Sequence, residues 1–187
     1  VNRSSAFPKE KPAVRQWIVL FAVIAAVLIA DQASKALVVS HLAPGQTVVP
    51  IPALGEVFRV VYSQNTGAAF GFLPNAGWLF SVIAVAVSAV MLWMHRALPS
   101  EAWGRRLAFG LIVGGALGNV IDRVAVGYVI DFINYRIPNL ISNVSNIADH
   151  AIVGGVLLLL VLVWTKPDPA PTPELPDSPA PDPDGGE

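Results

Sequence analysis

Cysteine is absent from the 187-residue chain. That excludes disulfides, thiol catalysis and cysteine-type metal sites together. Charge is scarce as well: Asp, Glu, Lys and Arg make up 13% of the residues, against about 25% in soluble domains. The three histidines, His41, His95 and His150, are scattered along the chain. A metal site needs His and carboxylate at coordinating spacing, so neither a metal nor any other cofactor is implied. No basic cluster interleaves with aromatics, and nucleic-acid binding has no support.

What the chain has in quantity is apolar sequence. Hydrophobic residues reach 54% and the mean hydropathy is +0.59, which points to lipid as the main solvent. Four apolar runs stand out, at residues 17–39, 77–94, 107–126 and 147–164. Each is near the roughly 20 residues that a helix needs to cross the hydrocarbon core. The expected fold is therefore an all-α membrane protein, a four-transmembrane-helix bundle. Basic residues set its orientation. Arg3, Lys9, Lys11 and Arg15 precede the first run, Arg96, Arg105 and Arg106 lie between the second and third, and Lys166 follows the fourth. The other two links hold only Arg59 and Arg136. Both termini and the middle link are expected in the cytoplasm, with the first and third links outside.

Residues 1–16 read as a cytoplasmic segment, 17–166 as the membrane domain and 167–187 as a disordered tail rich in Pro, Asp and Glu. The first run has a basic flank like a signal peptide, but no small-x-small cleavage site precedes Asp31. In the first outward link, β-prone residues 47–49 and 57–62 are separated by Pro50, Pro52 and Gly55. They suggest a small extracytoplasmic β-element between helices one and two.

Charged groups in a bilayer cost roughly 2.5–3.5 kcal/mol each at its centre and are functional suspects by default. Helical rise places Asp31 about 21 Å and Asp122 about 24 Å from the cytoplasmic ends of their helices. Asp149 opens the fourth helix on the outer side and Asp131 follows the third. All four acids fall near one depth, close to the outer interface. Asn119, Asp122 and Arg123 share one face of the third helix, where Asp122 and Arg123 form either an ion pair or part of a site. Gly110, Gly114 and Gly118 recur every four residues, a stripe suited to close helix packing. A Ser34–Lys35 nucleophile is disfavoured, because neighbouring helical residues point about 100° apart.

Two aspartates in a partly apolar pocket can share one proton, because like charges about 3 Å apart cannot both ionise. The ionised partner then takes a proton from an attacking water while the other donates to the carbonyl oxygen. Asp131 and Asp149 are the best candidates, since the link between them can bring them together. Asn146, three residues before Asp149, either caps the fourth helix or holds a substrate carbonyl. A proton-coupled transporter with the same acids as a relay is the alternative from another class. A purely structural helix-packing protein would leave the intramembrane acids unexplained.

Five blocks carry a resemblance. They are Asp31-Gln32-Ala33-Ser34-Lys35, Asn65-Thr66-Gly67-Ala68-Ala69-Phe70-Gly71, Gly118-Asn119-Val120-Ile121-Asp122-Arg123, Gly127-Tyr128-Val129-Ile130-Asp131-Phe132 and Asn146-Ile147-Ala148-Asp149. In this order, over residues 17–164, they resemble the signature blocks of bacterial lipoprotein signal peptidase (signal peptidase II). The resemblance implies an endopeptidase that cuts lipoprotein precursors before a diacylglyceryl-modified cysteine. By position, Asp131 and Asp149 match the catalytic pair. Asp31, Asn65, Asn119, Asp122, Arg123, Asn146 and Ala148 match residues that shape or support the site. It also implies lipid-modified prolipoproteins and membrane lipids as partners, block by a globomycin-type inhibitor, and an outward flap around Asn65. Ser145 departs from the family's usual phenylalanine, which alters a local packing contact.

Overall fold

The structure, a computed structural model, describes residues 14–67, 77–137 and 140–165. The segment expected before residue 14, the acidic tail from 167 and the part of the Asn65 block from Ala68 to Gly71 lie outside these residues. Four helices, α1 (Val14–His41), α2 (Gly77–His95), α3 (Trp103–Val126) and α4 (Ile147–Trp164), are each long and apolar enough to cross a membrane. They cover the four apolar runs, and α4 has the expected bounds. α1 and α3 begin earlier than hydropathy suggests because Arg15, Gln16, Gly104 and Arg105 continue the helix without being apolar.

α3 is the axis of the bundle. In its most apolar stretch 56% of residues are buried, against 22%, 6% and 11% in α1, α2 and α4. Small residues make this possible, as expected of the glycine stripe. A Cβ on Gly110 would lie 2.6 Å from Val23, and one on Gly114 would lie 2.9 Å from Val27. Those two glycines let α1 lie against α3. Gly115 of α3 and Gly155 of α4 do the same on the other side, where each meets backbone of the partner helix. Leu20, Ile24, Phe109 and Val113 fill the α1–α3 seam.

At one end of the bundle lies a four-stranded antiparallel sheet of order β1-β2-β3-β4, with β1 Thr47–Val48, β2 Phe58–Asn65, β3 Val129–Ile137 and β4 Ile141–Ser145. Val38 of α1, Tyr62 and Phe132 pack together and join sheet to helices. The sheet corrects the sequence-based expectation of a β-element confined to the link between helices one and two. Half its strands come from the link between α3 and α4, so the fold is not purely helical. The reason is local. β3 carries Asp131, Asn134 and Arg136 among its apolar residues, and Asp and Asn are poor strand formers, so the segment reads as loop. Gly127, with φ of 85°, ends α3 in the left-handed conformation and donates its N–H to the Arg123 carbonyl. This turn sends the chain straight from α3 into β3.

Candidate active site

Asp131 sits within β3, only 2% exposed, and not at the end of α3. Its Oδ2 accepts from Asn65 Nδ2 at 3.0 Å and its Oδ1 from Asn146 Nδ2 at 2.7 Å. Asn65 reaches it across the β2–β3 ladder, where Ser63 faces Asp131 and a register irregularity separates Val60 from Ser63. Asp149 lies in the first turn of α4, where an acid complements the helix dipole. Its N–H donates to Asn146 Oδ1 at 2.9 Å, so Asn146 is the helix cap. Its carboxylate accepts from Asn119 Nδ2 at 2.8 Å. Asn146, fully buried, also donates to Asn119 Oδ1 at 3.1 Å. One frame of asparagines thus holds both carboxylates.

Behind the frame is an ionic layer. Lys35 Nζ lies 2.7 Å from both Asp31 Oδ2 and Asp122 Oδ2 and 3.2 Å from Asn119 Oδ1. Its three donors meet three acceptors, and the ammonium occupies the space between the two carboxylates. Asp31 Oδ1 accepts from the Ala148 N–H at 3.0 Å, and Asp122 accepts from Gln32 Nε2 at 2.9 Å and the Ile130 N–H at 3.1 Å. The layer therefore ties α1 and α3 to the starts of α4 and β3. A Cβ on Gly118 would stand 2.7 Å from Asp31 Oδ2, so this glycine admits the carboxylate.

The Asp122–Arg123 ion pair considered from sequence is not formed. Successive helical residues point apart, so Asp122 takes Lys35 while Arg123 turns to another face. There its Nη2 donates to Gly67 O at 3.3 Å and its Nη1 to Asn119 O at 3.4 Å, with the guanidinium 5.9 Å from the Phe80 ring centre. Ser34 donates to the Asp31 carbonyl at 2.8 Å, away from Lys35, in line with the rejection of a Ser–Lys nucleophile.

A cavity of about 470 Å³ is lined by Asp131, Asp149, Asn65, Arg123, Ile152 and Val153 among others. Polar groups thus converge at a partly apolar cleft. The nine residues singled out from sequence all belong to this cavity or to its supporting network. Sequence reasoning missed others, among them Lys35, Gln32, Tyr135 and His150. Lys35 was legible as a partner of Asp31 one turn away. Gln32 stood in the same block. Tyr135 follows Asp131 by four positions, on the same face of β3, and His150 packs edge-on against it at 5.7 Å. Ser145 is 7% exposed and donates to Ile133 O at 3.4 Å, a small residue in the cavity wall.

Burial pushes the Asp131 carboxyl up to about 6, and the Asp149 charge adds to the rise. The bonds from Asn65 and Asn146 and the Lys35 charge oppose it. Because this value lies above the ordinary 3.8, the folded chain binds the proton more tightly than the unfolded one. The associated stability is complete below the unfolded value and lost as pH rises through about 6. Asp149→Asn removes the like charge, so the Asp131 titration should move down. Asn65→Ala removes a bond to the ionised form, so it should move up. An infrared titration of the carboxylic C=O band checks both directions.

Comparison with known proteins identifies a family. The family described as signal peptidase (SPase) II, peptidase family A8, matches residues 23–165. A lipoprotein signal peptidase of Pseudoalteromonas translucida is 41% identical over 146 residues, covering 76% of this chain and 86% of that protein. Another, of Halothermothrix orenii, is 39% identical over 148 residues, covering 79% and 96%. A solved structure described as a bacterial membrane enzyme superposes with a TM-score of 0.72 at 26% identity, covering 83% of this chain and 92% of that one. A match across most of the chain in sequence and in fold means that this multi-pass membrane protein belongs to the signal peptidase II family.

Proposed function

We propose that the protein removes signal peptides from diacylglyceryl-modified lipoprotein precursors, cutting before the lipidated cysteine with Asp131 and Asp149 as an aspartate dyad. The observation that carries this reading is the single asparagine frame that holds both carboxylates at one cavity. The pair shares one proton. Its ionised member takes a proton from water as the oxygen attacks the scissile carbonyl carbon, and its protonated member donates to the carbonyl oxygen. Collapse of the tetrahedral adduct breaks the C–N bond: the carboxyl that received the water proton gives it to the leaving amine, and one hydroxyl of the adduct returns its proton to the other carboxylate, which restores the shared proton.

Location supports the same reading. The sheet follows α1 and α3 and precedes α2 and α4, so the acids lie at one end of the bundle. The basic residues gather near the opposite end, at Arg15, Arg96, Arg105 and Arg106. Trp93 and Trp164, 69% and 89% exposed, also stand at that end, and Trp78, 71% exposed, stands at the site's end, as interfacial anchors do. With the termini in the cytoplasm, the site sits at the outer face of the bacterial cytoplasmic membrane. There the bond that follows a membrane-embedded signal helix leaves the lipid. The apolar wall of Ile152 and Val153 suits the signal helix or the diacylglyceryl chains, and a globomycin-type cyclic peptide is expected to occupy the same cavity. The four helices are unbroken and the acids do not form a chain across the bundle, which weighs against a proton relay for transport.

The test is cleavage by the purified wild type in detergent. It should cut a diacylglyceryl-modified precursor with a chelator present and leave the unmodified precursor intact. If the modified precursor is never cut, the peptidase reading fails.

A further inference from the structure

The terminal strand β4 has an open edge beside the acids. Among the described residues its strand neighbour is β3 alone, and no described loop makes a backbone hydrogen bond to it. Among the described residues, no backbone group pairs with the N–H and C=O groups along its outer side. The opposite edge of the sheet is β1, two exposed residues long and away from the cavity. β4 is longer and borders the site directly, since Asn143, Val144 and Ser145 line the cavity with Asp131 and Asp149. Its sequence, Ile-Ser-Asn-Val-Ser, contains none of the Pro, Lys or inward charges by which proteins usually blunt a free edge. The register places Tyr135 opposite Asn143 and Ile133 opposite Ser145. Cross-strand partners share a face, so Asn143 and Ser145 lie on the Asp131 side of the sheet. The strand then runs without a break into Asn146, which holds Asp131 and caps α4.

The chemistry of the cleaved chain supplies the occupant. A peptide bond inside a helix has its carbonyl engaged and its carbon shielded, so the segment at the scissile bond must be extended before water can attack. Near hydrocarbon an extended backbone without partners is strongly disfavoured, because each unpaired group loses its hydrogen bonds to water. A free strand edge replaces the lost helical bonds, and edge addition is a general mode of recognising extended peptides. We propose that the residues immediately following the scissile bond bind as an added strand on the outer edge of β4, which sets the bond in register with the two aspartates. This rests on the peptidase reading above. Affinity along this edge comes from backbone groups at every second residue, which suits a set of precursors of differing sequence.

The experiment is an ester scan of a diacylglyceryl-modified precursor peptide, replacing one backbone N–H at a time after the cysteine. Esters at alternate positions should raise KM about two- to tenfold, the loss of one hydrogen bond each. Those at intervening positions should leave KM unchanged, and kcat should stay near the parent value throughout. Disulfide trapping locates the edge. The chain has no cysteine of its own, and Ser142 is exposed on β4 outside the cavity wall. Ser142→Cys should cross-link to a peptide thiol at one position of the series. A flat ester profile with normal cleavage of the parent overturns the added strand and leaves the peptidase reading standing. A period-two profile without the Ser142→Cys cross-link moves the peptide to another edge and overturns the assignment to β4. Failure to cleave the parent peptide removes both.

Discussion

Asp131→Asn and Asp149→Asn should each fold and each lose cleavage, with kcat down by about three orders of magnitude or more. General acid–base groups contribute about 10²–10⁴-fold, and residues that act as one unit lose most of their effect when either is removed. The amide is nearly isosteric with the carboxyl, so packing survives. At Asp149 the backbone cap to Asn146 does not involve the replaced group. At Asp131 the new amide can turn its oxygen toward only one of its two donors, Asn65 and Asn146, so a modest stability change is expected there. Both variants should keep the wild-type thermal midpoint within a few degrees while losing rate. Rates from single-turnover cleavage and midpoints from tryptophan fluorescence in detergent separate the two effects.

Lys35→Met should act in the opposite manner, through stability first. Lys35 is 1% exposed between Asp31 and Asp122, which are 0% and 3% exposed. Removing the cation leaves two buried carboxylates without their counter-charge. Breaking a buried pair in this way costs about 3–5 kcal/mol. The same change takes a donor from Asn119, whose amide holds Asp149, so any protein that does fold should also cleave poorly. Adding Asp122→Asn to Lys35→Met should recover part of the lost stability, because it removes one of the stranded charges. Detergent melts of the single and double variants check this, and equal melts for both would show that charge is not the cause.

These two effects differ in how far the sequence reveals them. Asp149 and Asn146 are legible because capping is local: an Asn three residues before an acid at the start of an apolar run predicts both the helix start and the bond. The glycine stripe on α3 is legible for the same reason, since a four-residue period needs only helical geometry. Lys35 is different. Its bond to Asn119 spans 84 positions and exists only once α1 lies against α3. Helical geometry alone disfavours the adjacent Asp122–Arg123 pair, but nothing in either segment names Lys35 as the partner of Asp122. Strand β3 is hidden because its polar residues conflict with strand propensity. Asp131 interrupts the apolar pattern that would announce a strand, and it lines the cavity. With β3 unread, the pairing of β4 and the shared face of Asp131 and Tyr135 are out of reach as well. The depths of Asp31 and Asp122 follow from helical rise, and those of Asp131 and Asp149 from their places beside the outer ends of α3 and α4, so none of them depends on reading a strand.

Whether Asp131 and Asp149 act as one unit is read most directly by a double-mutant cycle in single-turnover cleavage. Asp131→Asn/Asp149→Asn should retain about the same residual rate as either single variant, because the first change already disables the pair. Losses that multiply would mean two independent groups, and near-wild-type cleavage by either single variant would contradict the assignment of the dyad outright.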